Sequence, residues 1–169
     1  IDATFGAAFA KSQAGAMSSL PTSGKVFVSV ANRDKRHVIF PVKRLVDLGF
    51  EIFATSGTAQ VLERNGVKAT VLSKLHEDQD GSGPASTVVQ KIQEHDVQLI
   101  INTPHGAGSG KNARVDGYEI RSAAVAEGIP CITTVQGLAA AVQGIEAQID
   151  RSIGVRSLQD WAKATAEAA

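Results

Sequence analysis

From Lys25 onward, short runs of β-branched and aliphatic residues alternate with longer stretches in which apolar residues recur every three or four positions. That alternation is the pattern of a parallel sheet covered by helices on both faces. The apolar runs predict strands over 26–31, 51–54, 69–72, 99–102 and 129–133, with helices over 36–48, 59–65, 86–95, 117–127 and 137–148. Gly49, Gly66 and Gly128 fall just past three of these helices, where a left-handed C-cap residue is favoured. Pro41 lies inside the first helical stretch; it has no N–H to give and predicts a separate opening turn before the main helix. The expected fold class is α/β, a doubly wound, five-stranded, mainly parallel sheet flanked by helices.

The two ends read differently. Residues 4–16 carry Phe5, Phe9 and several alanines in a helical pattern with little charge, and 17–24 reads as a linker. A helix with two phenylalanines needs a surface to pack on, so 1–24 is expected to be a connector from a preceding domain. The start at Ile1 rather than Met leads to the expectation of an excised piece. The domain proper is expected over 25–150, and 151–169 as its tail: an edge strand at 153–156, then a helix capped by Ser157 with Leu158 and Trp161 on one face.

Composition narrows the function classes. At 169 residues the chain is long enough for one well-buried domain and too short for two of ordinary size. Lys plus Arg and Asp plus Glu number 17 each, so net charge points to neither nucleic acid nor an anionic membrane, and any anion site must be local. Cys131 is the sole cysteine, which excludes an internal disulfide and fits a reducing cytosol; within Ile129-Pro130-Cys131-Ile132 it reads as a small packing residue rather than a nucleophile. His37, His76, His95 and His105 lack metal-ligand spacing on a shared helix face, so no metal is expected. No apolar run approaches the roughly 20 residues that span a bilayer, and a cytoplasmic protein is expected.

The candidate chemistry centres on Thr55-Ser56-Gly57-Thr58-Ala59, which follows one predicted strand and opens one predicted helix. A helix start offers N–H groups without intrahelical partners and the positive end of the macrodipole, so it accepts an anion with little reorganisation. The other reading of Thr55, Ser56 and Thr58 is ordinary helix capping, with Gly57 as a turn residue. Context favours the anion. In a parallel sheet with right-handed crossovers, every loop that follows a strand lies at the same end. Those loops hold Asn32-Arg33-Asp34-Lys35-Arg36, Thr55 to Thr58, Ser73-Lys74-Leu75-His76-Glu77 and Asn102-Thr103-Pro104. Lys35 and Lys74 beside a hydroxyl-lined helix start make a phosphate pocket. Gly106-Ala107-Gly108-Ser109-Gly110-Lys111 lacks Walker spacing and reads as a mobile lid. Lys35 and Lys74 can also be plain surface charges, and Asn102 can simply satisfy a loop backbone.

The segments Ser29-Val30 with Asp34-Lys35, Gly49 through Ala59, Asn65-Gly66-Val67, Lys74-Leu75-His76-Glu77, Ile100 through Pro104 and Arg114-Val115-Asp116-Gly117-Tyr118-Glu119-Ile120-Arg121 together resemble the methylglyoxal-synthase-like family. Within it they look most like the allosteric domains at the C-terminus of carbamoyl phosphate synthase large subunits, and Ala3 to Gln13 resembles the end of the preceding synthetase portion. The resemblance implies a doubly wound parallel sheet with an effector pocket at its carboxyl edge. It implies UMP as effector, with IMP able to share the site, and no cofactor in the domain. Carried over by position, Lys35, Thr55, Ser56, Gly57, Thr58 and Lys74 would hold the phosphate. Asn102, Thr103 and Asp116 would lie near ribose or base. Pro104 stands where some members carry a further Thr. The implied partners are the rest of the large subunit and a glutaminase small subunit, in a parent ligase that forms a higher oligomer.

The same family includes two enzymes. Methylglyoxal synthase eliminates phosphate from dihydroxyacetone phosphate with a carboxylate base on a Gly-Gly-Asp segment after Gly-Pro; here Gly83-Pro84 is followed by Ala85-Ser86-Thr87, with no carboxylate at that turn. Asp34, Asp78 and Asp80 are the remaining candidate bases. The cyclohydrolase of purine synthesis carries a long segment after its third strand that has no counterpart here. A purely structural module with a vestigial pocket is the third alternative.

Overall fold

Strand residues that alternate between two buried faces set the architecture. In the structure, a computed structural model, residues 1–72, 87–104, 111–150 and 153–167 are described, and for 111–115 the backbone alone. The order of elements is α1 (Phe5–Gly15), β1 (Lys25–Ser29), α2 (Ile39–Asp47), β2 (Glu51–Ala54), α3 (Ser56–Glu63), β3 (Thr70–Val71), α4 (Val88–Gln93), β4 (Leu99–Asn102), α5 (Lys111–Ala126), β5 (Cys131–Ile132), α6 (Val135–Asp150) and α7 (Leu158–Glu167). Among the described residues the sheet has five strands in the order β3-β2-β1-β4-β5, and every pairing is parallel.

Val26, Val28, Ile52, Ala54, Leu99 and Ile101 face one core, with Val42 and Leu45 of α2, Ala59 and Leu62 of α3, and Leu138 and Ile145 of α6. Phe27, Phe53 and Ile100 face the other, with Val88 and Ile92 of α4 and Ile120 and Ala124 of α5. The period-2 split of each strand thus assigns helices to both sides of the sheet. The doubly wound parallel fold expected from the pattern is the one observed.

Gly49, Gly66 and Gly128 do adopt positive φ (93°, 79° and 66°) at the helix ends. Pro41 falls in the first turn of α2, where its missing N–H would have had no helical acceptor; a separate turn over residues 32–38 precedes it. Several boundaries differ from expectation. β3 and β5, at the sheet edges, are two residues each, because only one neighbour fixes them. α5 starts at Lys111 rather than 117. The strand expected over 153–156 does not form: Val155 is 97% exposed and has no apolar face to bury. Ser157 does cap α7, its Oγ accepting from the Asp160 N–H at 3.1 Å.

The N-terminal helix finds a packing surface within the chain. α1 lies on α6, with Ala7 and Ala10 buried and Gly6 and Gly144 allowing close approach. A Cβ at Gly6 would come within 2.3 Å of the Gln143 carbonyl oxygen, and one at Gly144 within 2.8 Å of Leu20 Cδ1. Thr4 caps the helix through Oγ1, which accepts from the Ala7 N–H at 3.3 Å. Phe5 remains 60% exposed. Among the described residues, no helix is long and apolar enough to cross a membrane.

Candidate functional site

Strand order reverses between β1 and β4, and the register brings the carboxyl ends of three strands level: Val28 pairs with Ala54, and Ser29 with Asn102. The chain leaving each of these ends therefore runs along one rim, the place where open parallel sheets bind ligands.

At the end of β2 the chain passes directly into α3 through Thr55, whose extended backbone (φ −66°, ψ 151°) makes it the N-cap. Its side chain does not cap. Instead, Thr55 Oγ1 donates to Thr58 Oγ1 at 3.2 Å, and both residues are buried. The Thr58 and Ala59 N–H groups turn back to the Thr55 carbonyl, each at 2.8 Å. Ser56 and Gly57 occupy the first turn, where an N–H has no acceptor inside the helix. Lys35, from the turn after β1, reaches this point: a Cβ at Gly57 would lie 2.8 Å from its Nζ. Lys35, Thr55, Ser56, Gly57 and Thr58 are thus brought together. Lys74 lies outside the described residues, as do Gly83 to Ser86, Asp78, Asp80 and the glycine-rich stretch over 106–110.

The residues expected near ribose or base gather at the end of β4. Asn102 is 2% exposed; its Oδ1 accepts from Arg121 Nη1 at 2.6 Å and its Nδ2 donates to the Ser29 carbonyl at 3.4 Å. Thr103 Oγ1 accepts from the Ala31 N–H at 2.9 Å, tying the loop after β1 to the end of β4. Backbone satisfaction, the alternative role for Asn102, is thereby part of what these side chains do. Asp116 is buried on α5. Arg33 Nη2 donates to the Pro104 carbonyl at 3.0 Å and joins the same two loops at the surface. Asp34, a candidate base, is ion-paired with Arg33 Nε at 3.7 Å.

Two recesses flank the rim. One, of about 540 Å³, lies between the turn after β1 and α3, with Asn32, Lys35, Arg36 and Arg64 on its walls. The other, of about 340 Å³, opens beyond β1, β4 and β5 between Arg33, His37, Thr103 and Thr134. Among the described residues no three His, Cys, Asp or Glu side chains are grouped to hold a metal ion.

Arg121 is the residue of this cluster that sequence reasoning assigned no role. It sits four positions after Gly117 on α5, and a Cβ at Gly117 would meet its Nη1 at 3.0 Å. A glycine inside a helix, one turn before a cation, is the signal that was available. The same guanidinium acts on Cys131: burial pushes that thiol up to about 11, and the cation offsets part of the rise. A thiol so raised stays protonated at neutral pH, which agrees with a packing role for Cys131.

A family model described as an MGS-like domain matches residues 37–133. The chain is 59% identical over 163 residues to the carbamoyl phosphate synthase large chain of Streptomyces avermitilis, covering 96% of this chain and 14% of that one. It is 58% identical over 160 residues to the chain of the same name from Mycobacterium tuberculosis, covering 95% of this chain and 14% of that one. It therefore spans about a seventh of the length of these relatives. A methylglyoxal synthase from Elizabethkingia anophelis shares the fold, with a TM-score of 0.50 and 14% identity over 73% of this chain and 79% of that one.

Proposed function

The chain belongs to the MGS-like domain family, and from that premise we propose that it is the regulatory, effector-binding domain of a carbamoyl phosphate synthase large chain, non-catalytic in itself. Its effector is a nucleoside monophosphate: UMP, with IMP able to take the same place. The phosphate sits on the first turn of α3, between Lys35, Thr55, Ser56, Gly57, Thr58 and Lys74, and the nucleoside lies toward Asn102, Thr103 and Asp116. The partners are the remainder of the large subunit and a glutaminase small subunit, in the cytoplasm, where carbamoyl phosphate supplies the pyrimidine and arginine pathways.

One observation carries this reading. The Lys35 ammonium is set over the start of a helix whose N-cap hydroxyl takes none of the first-turn N–H groups, bonding the Thr58 hydroxyl instead. Cation, hydroxyls and first-turn N–H groups then point to a dianion, each charge-assisted hydrogen bond contributing about 1.5–3 kcal/mol. Bound there, a nucleotide biases distant sites by a coupling of about 1–3 kcal/mol, five-fold to 150-fold in affinity.

Calorimetric titration with UMP tests the reading. Binding is expected, and Lys35→Ala or Lys74→Ala is expected to weaken it about ten-fold or more. No heat at millimolar UMP would overturn the assignment. Turnover of dihydroxyacetone phosphate to methylglyoxal would overturn the non-catalytic part of it.

A further inference from the structure

We infer that Arg121 is the positioning residue of the nucleoside half of this site: held in place by the absence of a side chain at Gly117, it locks the Asn102 amide so that the ligand meets an N–H donor. The inference rests on the effector reading above.

An amide side chain has nearly the same shape in two orientations, and its partners decide between them. A guanidinium carries donors only. The Asn102 atom 2.6 Å from Arg121 Nη1 is therefore the carbonyl oxygen, and the amide nitrogen turns toward the Ser29 carbonyl. Flipping the amide would set N–H against N–H at one end and oxygen against oxygen at the other, in a side chain 2% exposed. A group that approaches Asn102 from the rim then competes with a cation for its oxygen but finds the second N–H of its nitrogen available by valence. The matching ligand group is an acceptor, a sugar oxygen or a base carbonyl.

Gly117 makes the arrangement possible. A Cβ there would lie 3.0 Å from Arg121 Nη1 and 3.5 Å from Asn102 Oδ1, in the space the guanidinium uses to fold back along α5. Glycine weakens a helix interior relative to alanine, so its presence in this turn calls for a reason, and the Arg121 contact supplies one. Arg121 thus acts on recognition of the nucleoside through Asn102, while Lys35 and the α3 turn hold the phosphate independently.

The test titrates the chain with two probes, UMP and inorganic phosphate. Arg121→Met is expected to weaken UMP about ten-fold while phosphate affinity is unchanged. Gly117→Ala, which keeps the guanidinium but displaces it, is expected to act in the same sense and serves alone if Arg121→Met does not fold. The double variant Arg121→Met/Asn102→Ala is expected to bind UMP no more weakly than Asn102→Ala, because the arginine works through that amide. Unchanged UMP affinity in both Arg121→Met and Gly117→Ala, equal losses for UMP and phosphate, or additive losses in the double variant would overturn the inference while wild type still binds UMP. A wild type that binds neither probe would instead overturn the effector reading on which it rests.

Discussion

Gly57 has an ammonium group where a side chain would begin, so it tolerates little. In Gly57→Ala the new methyl would stand 2.8 Å from Lys35 Nζ, and the atom that must retreat is the far end of a flexible chain. The expected outcome is an unchanged melting temperature with phosphate and UMP affinity lowered several-fold, read by calorimetry beside thermal denaturation; retained affinity would show that Lys35 does not act at this turn. The hydroxyls at 55 and 58 were legible from the sequence as the polar rim of a helix start. That Thr55 turns to Thr58 rather than capping the helix was not legible, because both rotamers suit the same backbone. Arg121 escaped for another reason: its partner Asn102 is 19 residues away on a different element, and only the folded sheet makes them neighbours.

Among elements, the α1–α6 contact is the one set most tightly by small residues. A methyl at Gly6 would press on the Gln143 carbonyl, a backbone atom of α6 that cannot move without the helix. Gly6→Ala is expected to cost about 1–3 kcal/mol, as overpacking does, and to lower the melting temperature by a few degrees in a circular-dichroism scan, with UMP affinity retained. An unshifted melting temperature would mean that α1 is not docked there. The strands over 51–54 and 99–102 were legible to the residue, since both lie inside the sheet with both faces buried and apolar runs bounded by polar residues. The edges were not: β3 and β5 pair over two residues each, shorter than the four-residue strands beside them, because each is held from one side alone. α5 begins before the apolar periodicity that announces it, because Lys111, Asn112 and Arg114 carry no apolar stripe.

Across the whole molecule, one charge cluster links distant parts of the chain. Asp96 accepts from Lys25 Nζ of β1 at 2.6 Å and pairs with Lys91 Nζ of α4 at 3.1 Å. The hydrogen bond from Lys25, and then that from Lys91, hold its carboxyl below the ordinary carboxylate value. A depressed folded value stabilises the protein above the unfolded carboxylate range, near pH 4, and that contribution is lost as pH falls through the lower folded value. Asp96→Asn is therefore expected to lower the urea midpoint modestly at pH 7 and to converge with wild type in acid; parallel curves across pH would refute the linkage. At this scale the sequence was most legible, since alternating strands and helices leave few topologies once crossovers are right-handed. The central place of β1 has one more result. Lys35, Thr55 and Asn102 each follow or end a strand of the same three-strand ladder, whose interior owes nothing to what those tips hold. Natural selection can accordingly exchange one guest for another by rewriting loop tips while the scaffold beneath stays as it is, so that recognition and support evolve as separate inventions.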